Sequence, residues 1–321
     1  MKTLTVITFS LLFTVYACNK DKGEQGQADT PVPNTQFSIT VGKGPDAMFL
    51  TPDKKKLYIA NVEDTIISVI NTESDNVDKT ISGVRYPWGF VQLGNSNEVA
   101  VSAYDKQLAI IDFSSDQVVR EKTFNSNLGG ITADSLGQYL YVIAIDFNSV
   151  IKIDAITLDS LDSYSTGNAP DGIGISKDNN KLYITNTSDG TISVINITTK
   201  ASSLINTGGK PELVHPNKDH SILYISNFND NKIHVLDTET DSIIHEIMGL
   251  DGPEEAVPDY ANQKLYVVNF NSSKVFEYEI SGYNKLENTY STGSKPIGVT
   301  PLNNKIYVTN YGDNSVSVIT K

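Results

Sequence analysis

Seven positions in the chain are spaced 41 to 43 residues apart, and six of them follow a proline: Asp46, Trp88, Gly129, Asp171, Glu212, Glu254 and Ile297. Four are carboxylates, and Glu255 sits beside the sixth. A second series holds Asn61, Tyr104, Asn186, Asn227-Phe228, Asn269-Phe270 and Asn310-Tyr311. If the two series share one face, acceptors converge with aromatic rings. That chemistry suits binding: a large polar-aromatic ligand, a sugar or a cation. Like charges gathered at one mouth repel and serve no structural need, which favours a ligand. The plainer alternative is that Asp and Asn only cap turns, as their short side chains do elsewhere. The candidate binding residues are Asp46, Trp88, Tyr104, Asp171, Glu212, Phe228, Glu254, Phe270 and Tyr311.

Catalytic signatures are missing. There is no G-x-S-x-G elbow, and no glycine loop leads from a strand into a helix to cradle phosphate. His245-Glu246-Ile247-Met248-Gly249 begins like a zinc-helix motif, but its fifth residue is glycine and the segment reads as a strand, where i and i+4 do not share a helical face. All four histidines, His215, His220, His234 and His245, fall in one stretch. Strand placement spreads them along a single unit as surface or edge residues, so no metal or catalytic role is assigned. The expectation is a protein that is not an enzyme and holds no resident cofactor. A single cysteine excludes an intrachain disulfide and Cys-rich metal sites. A net charge of −13 repels phosphate backbones and argues against nucleic acid as a partner.

The elements that must position these residues are visible as a repeat. Leu57-Tyr58-Ile59-Ala60-Asn61 returns as Leu182–Asn186, Leu223–Asn227, Leu265–Asn269 and Ile306–Asn310. Degenerate copies at Val99–Ala103 and Leu140–Ala144 complete a series whose second positions are 58, 100, 141, 183, 224, 266 and 307. Each copy follows a Pro-led strand and a polar turn. A third strand comes after it, such as Ser315-Val316-Ser317-Val318-Ile319, and then a fourth. The second and third strands are almost continuously apolar, as strands covered on both faces are. Four-stranded units near 40 residues predict an all-β, seven-bladed β-propeller. The seventh repeat shows three strands, and an unassigned strand, Phe37–Val41, precedes the first. That strand is expected to complete the last blade and close the ring by pairing with Val316–Ile319.

Ahead of the repeats, Met1–Ala17 reads as a signal peptide. Lys2 is followed by an apolar run too short to span a bilayer, ending in Val15-Tyr16-Ala17-Cys18. Cys18 is expected to carry lipid, and 18–35 to act as a polar tether before a propeller over 36–321. Lys20-Asp21 resembles a charged tag that directs some Bacteroidetes lipoproteins to the cell surface.

The motifs Pro-x-Gly, Leu-Tyr-x-x-Asn and x-Val-Ser-Val-Ile occur in order, and Tyr307-Val308-Thr309-Asn310 spells the name of the YVTN-repeat β-propeller family, which the region 36–321 resembles. With the lipobox and tether, the chain is also similar to Bacteroidetes surface lipoproteins that capture cobalamin. The resemblance implies an outer-membrane lipoprotein, held to the membrane by its lipid alone and displayed on the cell surface. It would take vitamin B12 or a related nutrient for a TonB-dependent transporter, with a corrinoid or Ca²⁺ as the expected ligand. Propellers also serve as lactonase- or lyase-like enzymes and as surface-layer or adhesion modules, and both alternatives stay open.

Overall fold

A computed structural model describes residues 35–321; the signal peptide, Cys18 and the tether up to residue 34 lie outside the described residues, and Thr35, expected in the tether, opens the first strand. Seven antiparallel sheets of four strands each make up the described chain. Six are built from consecutive strands, beginning with Pro45–Leu50, Lys56–Asn61, Ile66–Asn71 and Asn76–Ser82. The seventh joins Thr35–Thr40 to Ser315–Thr320, Lys305–Asn310 and Pro296–Leu302. Phe37 pairs with Val318 and Ile39 with Val316, so the first strand closes the ring as expected. Closure leaves no long open edge between first and last blades.

The core lies between blades. Tyr58, Ile67 and Val69 of the first blade pack on Val99, Val101, Ala109 and Ile111 of the second. The second and third strands are therefore apolar on both faces, while outer strands such as Asn76–Ser82 alternate toward solvent.

The repeat's lysine and tyrosine are a clamp between blades. The Tyr183 hydroxyl donates to Asp241 Oδ1 at 2.5 Å, and Lys181 Nζ lies 2.7 Å from the same carboxylate. Tyr307 and Lys305 reach Asp75 in the same way, each at 2.6 Å, across the closure point. Tyr58 and Lys56 hold Asp116. Asp75, Asp116 and Asp241 each occupy a left-handed turn with φ of 54–57°, a conformation Asp tolerates better than most residues. Burial and the adjacent carboxylate both hold these tyrosine hydroxyls protonated, far above their ordinary range.

The innermost strands deliver the candidate site. Each opens with a register shift near its first residue, for example between Pro45 and Met48 or Pro211 and Val214. The residue after the proline sits in this bulge, and a bulge re-aims the side chain it carries. The strands also crowd the axis. A Cβ on Gly172 would collide with the Glu212 carbonyl, and one on Gly298 would come within 2.8 Å of the Asp46 carbonyl. Glycine is required at both.

Candidate functional site: the channel mouth

Two side chains of the repeat fix the mouth. The first is threonine. Thr185 Oγ1 accepts from Gly172 N–H at 2.8 Å and donates to the Glu212 carbonyl of the next blade at 2.6 Å. Thr309 does the same for Gly298 (2.8 Å) and the Asp46 carbonyl (2.8 Å). Each hydroxyl thus ties the backbone of a mouth carboxylate to the neighbouring blade.

The second is asparagine. Asn186 Oδ1 accepts from Gly167 N–H at 3.0 Å, and its Nδ2 donates to Thr191 Oγ1 and Ser193 Oγ, both at 2.9 Å. Asn227, Asn269 and Asn310 likewise accept from Lys210, Asp251 and Gly293. All five strand-ending asparagines, Asn61 included, are 0% exposed. They do not offer acceptors to a ligand, contrary to the sequence-based expectation. Four of them, Asn186, Asn227, Asn269 and Asn310, hold the loops that lead into the inner strands, because an amide has a carbonyl to accept from the loop and an NH₂ free to donate elsewhere; Asn61 keeps only the donation, to the Ile66 carbonyl and Ser68 Oγ.

Six of the nine expected binding residues line one depression of about 390 Å³: Asp46, Trp88, Tyr104, Asp171, Glu212 and Glu254. Trp88 and Tyr104 lie with ring centroids 6.0 Å apart at an interplanar angle of 33°. Tyr104 is 46% exposed and forms the outer lip. Phe228, Phe270 and Tyr311 do not line the depression. Phe228 and Phe270 meet edge to face at 5.8 Å, with Lys210 Nζ 5.5 Å from the Phe228 ring centre and Lys295 Nζ 5.9 Å from that of Phe270. Tyr311 donates to Glu63. All three have partners within the protein outside the depression.

Electrostatically the mouth is strained. Burial raises Asp46 from its ordinary value to about 7, and repulsion from Asp171, Glu255 and Glu212 adds to it. Asp171 is raised to about 6 by burial and by Glu212. Glu254 is raised to about 9 by burial and by Glu212, Asp46 and Asp171. Near neutral pH this cluster therefore holds protons that ordinary carboxylates have shed. Glu212 is 8% exposed; one oxygen pairs with Lys210, and Oε2 has no hydrogen-bond partner.

Lys210 was not among the expected residues. It stands two positions before Glu212, and burial of its ammonium is outweighed by Glu212, Asp171 and Glu254, which raise its pKa. Among the described residues no group of three or more His, Cys, Asp or Glu is arranged to hold a metal ion. The histidines are dispersed, but not all lie at the surface: His234 is 1% exposed, and its Nε2 is 3.3 Å from Asn227 Nδ2, where Ser193 and Ser317 serve in other blades. Burial lowers its pKa to about 4, which keeps it neutral. His215 faces the channel, with Nδ1 3.0 Å from Glu255 Oε1.

Comparison with known proteins supports the architecture. Residues 99–222 match the YNCE-like beta-propeller family. Hydrazine synthase from Kuenenia stuttgartiensis superposes with a TM-score of 0.75 at 17% identity, covering 92% of this chain and 99% of that one. The Cps50 (Swd1) β-propeller domain from Myceliophteria thermophila gives 0.74 at 11% identity, covering 90% and 100%. A catalytically inactive virginiamycin B lyase from Staphylococcus aureus, solved with quinupristin, gives 0.73 at 16%, covering 90% and 99%. At these identities the likeness is one of fold. No curated protein matches the sequence.

Proposed function

We propose that this β-propeller is a non-enzymatic capture protein of the bacterial envelope, anchored through lipid on Cys18 and binding its ligand at the channel mouth. The observation that carries this is the convergence of Asp46, Asp171, Glu212 and Glu254 with the Trp88–Tyr104 pair in one depression. Carboxyl groups crowded until they retain protons are unfavourable in the empty protein, and a ligand rich in hydrogen-bond donors relieves that cost. A corrinoid fits this chemistry: it is broad, rimmed with amide donors, and able to lie across the mouth with Trp88 beneath it. Vitamin B12 or a related nutrient would then pass to a TonB-dependent transporter at the outer-membrane surface.

Calorimetry of the full chain in detergent micelles with cyanocobalamin tests this. The expected result is saturable binding that Trp88→Ala together with Glu212→Ala abolishes, the indole alone contributing about 0.5–2 kcal/mol. Absence of binding to the folded wild type would overturn cobalamin capture.

One observation favours a second reading. The His215–Glu255 pair inside the channel has the geometry of an oriented imidazole base, and a lyase is among the similar folds. Turnover of a lactone or cyclic ester, lost in His215→Ala, would replace capture with catalysis.

A further inference from the structure

Beneath the mouth the channel continues as a second cavity of about 350 Å³. Asp46, Trp88, Asp171, Leu213 and Ile297 line both spaces and form a collar between them. Below the collar Met48, Phe90, Ile131, Ile173 and Val214 give the wall an apolar stretch, with Gln92, Thr132 and His220 as further polar members. Farther along the inner strands, Glu255 is already engaged, its Oε1 with His215 and its Oε2 accepting from Val299 N–H at 2.9 Å. The shaft is at the small end of the range for ligand cavities and cannot admit a macrocycle.

The collar has charge without compensation. Lys210 is the one Lys or Arg lining either space, and it is paired with Glu212. Glu212 itself has a side chain nine-tenths buried and keeps Oε2 unpartnered in the wall of the mouth. A built cavity that pairs two carboxyls lacking a cation with an apolar shaft selects for shape and charge together.

We infer that collar and shaft form a binding site for an organic ammonium ion, its charged nitrogen against the Asp46 and Asp171 carboxyls beside Trp88, its apolar body in the shaft against Phe90, Ile131 and Ile173. A bare metal ion is a poorer match. Hard cations demand six or more oxygen ligands, and no metal-holding group exists among the described residues. An alkylammonium brings apolar surface that the shaft can bury, at about 25 cal/mol per Å². It also accepts an indole face as a neighbour. Because Asp46 and Asp171 are held partly protonated near neutrality, an ammonium that ionises them must expel protons, so affinity rises with pH. This site rests on the mouth being a ligand-binding face, but it takes a smaller ligand than a corrinoid.

Calorimetry of the full chain in detergent with phenethylammonium chloride, and with phenethyl alcohol as its neutral isostere, reads the proposal directly. At about pH 8 the ammonium is expected to bind at least ~10-fold more tightly than the alcohol, and the gap is expected to narrow at about pH 5 as the collar protonates. Asp46→Asn or Asp171→Asn should weaken the ammonium about 10-fold, and Ile131→Phe, which narrows the shaft, should remove it while cyanocobalamin binding is unchanged. Equal affinity for ammonium and alcohol, or no ammonium binding by the wild type, overturns the site. Loss of cobalamin binding with ammonium binding intact unseats the mouth proposal and leaves the shaft standing; the reverse result unseats the shaft alone.

Discussion

The fourth and seventh blades solve the approach to the mouth differently from the second and third. In the fourth, Asn186 at the end of the second strand is coupled to Thr191 and Ser193 in the third. In the seventh, Asn310 is coupled to Ser315 and Ser317. In the second blade the register brings Ala109 to the place of Ser193, so Ala103 shares its face with Val101 and Ala109, all 0% exposed; in the third, Ala144 pairs with Ser149 and Ile151 takes the place of Ser193. The Asn–Ser couple has become Ala–Ala in the second blade and Ala–Ile in the third, where Ser149 keeps the position of Thr191. The incoming loops of the second and third blades keep bonds at the exposed rim, and the third blade's is one that Asp189 and Asp313 also make in the fourth and seventh. Gln107 Nε2 donates to the Gly83 carbonyl at 2.8 Å, and Asp146 Oδ2 accepts from Asn127 N–H at 2.9 Å, both in exposed settings where water competes. The second blade is also where Trp88 and Tyr104 stand. The difference teaches that the repeat's asparagine is scaffolding, and that one of the two blades lacking it is furnished with the aromatic lip.

The sharpest way to break this comparison is to interchange the couples. Asn186→Ala leaves the Gly167 N–H and two hydroxyls without their partner in a dry site, and should cost about 3 kcal/mol, a fall in melting temperature of roughly 6 °C. Ala103→Asn should be destabilising as well, by about 2 kcal/mol, because its amide would be buried against Val101 and Ala109. A neutral or stabilising Ala103→Asn would mean that the second blade has merely drifted.

A smaller effect concerns the carboxylates that the clamps bring together. Glu254 has a folded pKa raised to about 9, well above its value in an unfolded chain. The folded state therefore binds more protons than the unfolded one between those two values. The stability this contributes is fully present below the ordinary glutamate range and is lost as pH rises toward 9. Glu254→Gln should leave stability unchanged near pH 4 and raise it by on the order of 2 kcal/mol near pH 9. Thermal melts across that range check the sign; a variant equally shifted at both ends would place Glu254 outside the coupled cluster.

The smallest effect separates tyrosines that look alike in the repeat. Tyr183→Phe removes a bond to Asp241 and should cost about 1–2 kcal/mol, whereas Tyr141→Phe should cost less than about 0.5, because the fourth blade holds Lys200 where that aspartate would stand. Chemical denaturation of the pair would resolve the difference, and equal costs would remove the inter-blade clamp from the account of the repeat.

The blade count, the strand order and the closing strand could all be read from residues in a row. Alternating turns and doubly covered strands leave periodic marks, and each blade buries its faces on neighbours built from the same pattern. The coupling of Asn61, Asn186 and Asn310 to Ser68, Ser193 and Ser317 is marked in the sequence by an offset of seven residues, but its replacement by Ala103 and Ala109 breaks that offset and needs the strand register to be seen. It is hidden from inspection of the asparagine alone, because an amide that caps a loop and one that greets a ligand are the same letters. The site itself was half legible. The position after the proline marks Asp46, Asp171, Glu212 and Glu254, but Phe228, Phe270 and Tyr311 had to be placed in space before their rings were found engaged with each other, with lysines and with Glu63. Lys210, the collar and the shaft are products of closure. They are assembled from inner strands some 40 residues apart, and which charges meet, how dry they are and which protons they keep depend on distances that exist only once the ring has formed.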